Sequence, residues 1–333
     1  MNAFRAAGLT LGQLPPGPRT TLADVPGIHV GHVTLTSGQG EEAVRTGVTA
    51  IVPPGDPYAE PLAAGLFVLH GHGKAVGLSQ VRDLGELETP VLITNTLAVF
   101  RCAEALLSWT LRRHPQARSV NPVVLECNDG RISAIERRPV TEDHALAALE
   151  AAGEGVEEGC VGAGTGMVAF GFKSGVGTAS RRVGDFTVGV LAVPNMGRAE
   201  DFRAPFSFEK APEREAGAEA GSLVVVLATT APLLPEQLSR LARRAALGAA
   251  RTGAPVDTGS GDFFLAFSTG LRFPRMEERR SVTYVLDRAK VMGLLYRAAA
   301  EATEEAIFSG LLAAKPTRGR TGQVFPALRT YPK

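Results

Sequence analysis

Short apolar runs recur along the chain at 47–52, 66–69, 91–93, 123–125, 187–193, 223–228 and 263–267. Runs of this length, rich in Val, Leu and Ile, predict strands buried on at least one face. Between some of them apolar positions recur at helical spacing, over 98–113, 141–152, 235–250 and roughly 287–314. In the third of these, Leu238, Leu241, Ala245 and Ala249 share a face, Pro235 suits the first turn and Gly253 suits the end. The sum is a mixed α/β chain with many short strands. Residues 194–221 lack clear periodicity, and long stretches of that kind often border functional sites. Their last part, "APEREAGAEAG", reads as an exposed loop. No repeat and no sharp change of composition divides the chain, so 1–333 is read as one domain.

Composition narrows the class. With 44% hydrophobic and 21% charged residues, a chain of 333 residues reads as a soluble globular protein with a large core. A formal charge of +1 leaves no nucleic-acid footprint at the scale of the whole chain. No apolar run approaches the ~18–20 residues of a membrane helix. The opening "MNAFRAAGLTLGQLPPGP" lacks the features of a signal peptide, so the expected location is the cytoplasm. Cys102, Cys127 and Cys160 are widely spaced and suit a reducing compartment.

Two candidate cofactor motifs fail. The glycine-rich "GAGTGMVAFGFKSGVGTASR" (162–181) has Met167 where a dinucleotide fingerprint needs glycine. Gly73-Lys74 lacks the rest of a phosphate-binding loop, so bends and close backbone packing explain these glycines. His70 and His72 lie two apart, on one face of a strand, with no third ligand in sight. Neither a metal nor a cofactor is implied.

The segment "GAPVDTGSGDFFLAFSTG" (253–270) sets Gly259 and Ser260 at the mouth of a strand. One reading is a tight turn; the other is a bond that breaks. A serine hydroxyl needs a base, and no histidine lies within 100 residues on either side. If Ser260 became an N-terminal residue, its own α-amine, with a pKa of about 7.7–8.0, could serve. Gly259, lacking a Cβ, leaves its carbonyl open to the Ser260 hydroxyl. An N-to-O acyl shift followed by hydrolysis would then release 1–259 from 260–333.

A resemblance covering most of the chain bears on this choice. "LATTAPLLPEQLSRLARRAALGAARTGAPVDTGSGDFFLAFSTG" resembles the processing region of the L-aminopeptidase/D-amidase-esterase and β-peptidyl aminopeptidase family. "LADVPGIHVGHVTL", "LETPVLITNT", "GAGTGMVAFGFKSGVGTASR", "EATEEAI" and "GRTGQVFPAL" are similar to its other blocks, in the same order. The resemblance implies a four-layer αββα sandwich, like that of N-terminal-nucleophile hydrolases but differently connected. It also implies self-cleavage between Gly259 and Ser260 and homo-oligomers of the processed unit. By the same match Ser260 is the nucleophile, Asn195 helps hold the oxyanion, and Glu126 receives the substrate's amino group. Thr303 and Glu305 match a hydroxyl and carboxylate that orient the nucleophile. Residues i and i+2 of a regular helix face apart, so both reach Ser260 only if the helix starts or distorts there.

Three positions depart from the family pattern. Asn128 stands where a tyrosine contributes to the oxyanion site, and is carried as a substrate-binding position. His70-Gly71-His72-Gly73-Lys74 replaces an asparagine-rich block that ends in a carboxylate. Thr94 to Phe100 differs in the same way from a third pocket block. The expected activity is a self-processing serine aminopeptidase or amidase acting on small aminoacyl amides and esters, including β-aminoacyl or D-forms. Alternatives are an amidase on ω-amino-acid oligomers, a related acyltransferase, or a binding protein that keeps the fold.

Overall fold

The computed structural model describes residues 1–210, 221–254 and 259–331. Along the chain come α1 (Ala3–Ala6), β1 (His29–Ser37), β2 (Val44–Val52), β3 (Leu62–Gly71), α2 (Leu78–Leu84), β4 (Glu86–Leu87) and β5 (Val91–Asn95). They are followed by α3 (Val99–Arg113), β6 (Val123–Cys127), α4 (Glu142–Glu150), β7 (Val168–Ala169), β8 (Phe172–Lys173) and β9 (Gly177–Val183). Then come β10 (Phe186–Asn195), β11 (Ser222–Thr229), α5 (Pro235–Arg251), β12 (Gly261–Arg272), α6 (Lys290–Leu312), β13 (Thr317–Arg318) and β14 (Val324–Phe325). Every strand and helix expected from the apolar pattern lies within one of these elements or overlaps it.

Two sheets carry the architecture. One has the order β1-β2-β5-β6, the other β4-β3-β12-β11-β10-β9. Each contains one parallel pair, β5 with β6 and β11 with β12. Parallel neighbours need a crossover, and a helix supplies it both times: α3 between β5 and β6, α5 between β11 and β12.

Burial sorts the layers. Ile51, Ile93 and Leu125 of the first sheet meet Leu191, Val224, Val226, Leu265 and Phe267 of the second in a core between the sheets. Alternate residues of the first sheet, Val48, Leu92 and Val124, pack under α3 and α4. In the second sheet Val190, Val225, Phe264 and Ala266 pack under α5 and α6. Both sheets are thus covered on both faces, and the layers run helix, sheet, sheet, helix. The expected αββα sandwich is the fold observed.

The glycine-rich segment holds more than bends. Gly175 does lie where a Cβ would meet the Gly159 carbonyl oxygen at 2.0 Å, the expected close packing. From Gly177 onward, however, the segment becomes the edge strand β9. Its buried side chains include Thr178 and Ser180, which accept hydrogen bonds from the backbone N–H groups of Leu22 and Gly17. Polar residues satisfied in this way mask the strand's alternation. Residues 195–210 carry a short turn at Ala199–Asp201 and an aromatic cluster of Phe202, Phe206 and Phe208. Of the expected loop at 211–221, residues 211–220 lie outside the described residues. Among those described, no helix is long and apolar enough to cross a membrane.

Candidate active site

Ser260 precedes β12 by one residue, and the register of the second sheet fixes its neighbours. Gly261 lies beside Ser222 of β11 and Gly71 of β3, and Ser222 lies beside Asn195 of β10. The starts of β11 and β12 therefore share one end of the sheet with the finishes of β3 and β10. The finishes of β5 and β6 reach the same end, as contacts from Glu126 and Asn128 show.

Ser260 is fully buried, and its Oγ donates to Asp262 Oδ1 at 2.7 Å. Asp262 Oδ2 lies 2.9 Å from His70 Nδ1, its neighbour across the β3–β12 pairing. Burial pushes the Asp262 carboxyl up, with the Ser260 and His70 hydrogen bonds opposing the rise. The Ser260 carbonyl accepts from the backbone N–H of His72 at 3.2 Å, and Gly261 N–H donates to the Gly221 carbonyl at 3.2 Å. The residue before the strand is thus held by backbone bonds from both sides. Sequence reasoning assigned nothing to Asp262. The available signal was its spacing of two from Ser260 at a strand start, which puts both side chains on one face.

Glu126, at the end of β6, is 2% exposed. Its Oε1 accepts from Lys74 N–H at 2.8 Å, and Oε2 accepts from the Thr96 hydroxyl. Two glycines bring this carboxylate close to the start of β12. A Cβ on Gly73 would meet the Phe263 ring at 2.3 Å and Glu126 Oε1 at 2.8 Å. A Cβ on Gly261 would meet Gly73 Cα at 2.8 Å. Gly73 therefore touches both the carboxylate and the start of β12, a contact only glycine permits. The Lys74 side chain turns back to the His72 carbonyl and stays exposed.

Asn195 joins the two sheets. Its Nδ2 donates to the Asn128 carbonyl at 2.8 Å and to Ser222 Oγ at 3.0 Å, while Oδ1 accepts from Val168 N–H at 3.1 Å. The Val168 donor fixes which end of the amide is oxygen. Asn128 takes part through its backbone; its side-chain oxygen accepts from Gly130 N–H at 2.9 Å, within its own turn.

The expected pair of Thr303 and Glu305 is not hydrogen-bonded to Ser260. Helix α6 runs unbroken through both, so their side chains point apart. Glu305 accepts from Arg5 at 2.6 and 2.9 Å, from Arg181 at 2.8 Å and from Asn2 at 3.0 Å. These donors occupy its carboxylate in a buried ion cluster. Thr303 is fully buried, and among the described residues its hydroxyl has no hydrogen-bond partner.

The arrangement sets three things at one end of the sandwich: a hydroxyl next to a carboxylate, a second buried carboxylate suited to an ammonium, and a fixed amide donor. Similar arrangements of chain are known. A β-peptidyl aminopeptidase of Sphingosinicella xenopeptidilytica is 39% identical over 91% of this chain and 83% of its own length. The structure of a Burkholderia sp. β-aminopeptidase superposes with a TM-score of 0.88 at 38% identity, over 98% of this chain and 95% of that one. The L-aminopeptidase D-Ala-esterase/amidase of Ochrobactrum anthropi, described as a variant of the Ntn hydrolase fold, gives 0.83 at 34%, over 98% and 94%. Residues 20–325, which include every site residue named above, match peptidase family S58. The chain belongs to peptidase family S58.

Proposed function

We propose that the chain is a serine aminopeptidase and amidase of the N-terminal-nucleophile kind, with Ser260 as nucleophile once the Gly259–Ser260 bond has been cut. The observation that carries this reading is the buried Ser260 hydroxyl at the head of β12, at the same end of the sandwich as buried Glu126. After cleavage the freed amine of Ser260 takes the proton from its own Oγ, which attacks the scissile carbonyl. Glu126 holds the substrate's ammonium, and Thr96 and Lys74 N–H keep the carboxylate in place. Asn195 stabilises the oxyanion by turning one N–H from the Asn128 carbonyl to the substrate. The names of the relatives favour N-terminal β-aminoacyl residues as the substrate class. Homo-oligomers of processed units belong to the same reading, and exposed Leu97 and Phe100 at the head of α3 offer apolar surface for them.

Intact mass of the purified protein tests the central step. Two fragments, 1–259 and 260–333, are expected from the natural chain and one from Ser260→Ala. Cleavage of Ser260→Ala, or a second fragment beginning elsewhere, removes Ser260 from the mechanism.

A further inference from the structure

The proposed amine base exists only after the chain is cut. Before that, the Ser260 nitrogen is an amide whose lone pair is delocalised into the Gly259 carbonyl, so it cannot take a proton from Oγ. The first cut therefore needs another base. Among the described residues, the group that accepts from Ser260 Oγ is Asp262, at 2.7 Å. This carboxylate is 4% exposed, so water does not compete freely for it. Its second oxygen is tied to His70 at 2.9 Å, which aims the first at the serine. The serine cannot drift away, because the His72 and Gly221 backbone bonds hold its flanks.

We infer that Asp262 is the general base of self-cleavage, with His70 as the residue that positions it. The inference rests on the proposed reading of Ser260. Asp262 takes the proton from Ser260 Oγ as the oxygen attacks the Gly259 carbonyl carbon. The C–O bond forms, the C–N bond to Ser260 breaks, and the proton passes from Asp262 to the departing nitrogen. The products of this step are an ester at Oγ and a free amine. Water then hydrolyses the ester, and the amine becomes the base of later turnovers. One hydroxyl is thus served by two bases in succession. A carboxylate raised by burial accepts a proton more readily than an exposed one.

Time courses of intact mass on purified chains test this. Positioned general bases contribute on the order of 10²–10⁴ in rate, so Asp262→Asn is expected to slow cleavage at least ~100-fold while keeping the wild-type circular dichroism spectrum. His70→Ala should slow cleavage about tenfold and His70→Asn, which keeps an N–H donor, should restore it. This His70 pair carries the test if Asp262→Asn does not fold. A folded Asp262→Asn that cleaves at the wild-type rate overturns the inference, as does a His70→Ala that does so. If Ser260→Ala stays whole in the same series, only the base assignment has failed. If Ser260→Ala is cleaved, the nucleophile itself was wrongly placed.

Discussion

Asn195 makes three hydrogen bonds through one amide, and they differ in how easily they are given up. The bonds to Val168 N–H and Ser222 Oγ lie among buried groups. The third goes to the carbonyl of Asn128, an exposed residue where water can replace the lost donor. That N–H is the one available to an oxyanion. Asn195→Ala should lower kcat on the order of 10²–10³ with little change in KM. Steady-state kinetics on a nitroanilide decide it, and an effect confined to KM would assign Asn195 to binding. A second residue nearby shapes stability. Asp129 is 1% exposed, and among the described residues neither carboxylate oxygen has a hydrogen bond of good geometry. Burial pushes its carboxyl up to about 7, with the Thr46 hydroxyl opposing. The folded state thus binds the proton more tightly than the unfolded one. The stability this gives is complete below the unfolded pKa of about 4 and is lost as pH rises through about 7. Urea melts of Asp129→Asn should lack that fall; an unchanged slope between pH 4 and 8 would show that Asp129 does not cause it. Ser260 and Glu126 are legible in the sequence because each sits in an extended block similar to a known family. The Asp262–His70 contact joins positions 192 apart and leaves no local pattern.

At the scale of elements, the apolar runs locate most strands because both sheets are covered on both faces, which makes the strands nearly continuous in Val, Leu and Ile. Strand β9 escapes because hydroxyls fill its buried positions. Helix α6 is legible as a helix, yet its buried face is not purely apolar. Glu301 and Glu305 point at Arg181 of β9, whose guanidinium is wholly buried, and Arg5 of α1 completes the cluster. Spacing alone reads Glu301 and Glu305 as a solvated face; only the packing of α6 on β9 shows them enclosed. Such a cluster ties the helix to the edge strand through charges that are largely buried, Arg181 and Glu305 wholly so. Arg181→Met leaves Glu305 with Arg5 and Asn2 and Glu301 with the backbone N–H groups of Gln13 and Leu14, and should cost about 3–5 kcal/mol in a denaturant melt. A variant as stable as the parent would mean that these remaining donors suffice.

At the scale of the molecule, the proposed cut falls at the head of β12, which lies between β3 and β11 inside the larger sheet. The piece beginning at Ser260 therefore owns an interior strand together with α6, both packed into the core shared with the rest. Folding before cleavage is a reaction of one chain with itself. After cleavage the same native arrangement can be regained only if two chains meet. The proposed self-cleavage would thus change the order of the refolding reaction. Ser260→Ala, diluted from denaturant, should refold at a rate independent of protein concentration. The processed protein should refold more slowly on dilution and yield less, as aggregation competes with encounter. Refolding half-times measured over a hundredfold range of concentration separate the two cases. Once cut, the enzyme persists through the height of its unfolding barrier, because a molecule that opens has lost its easy way back.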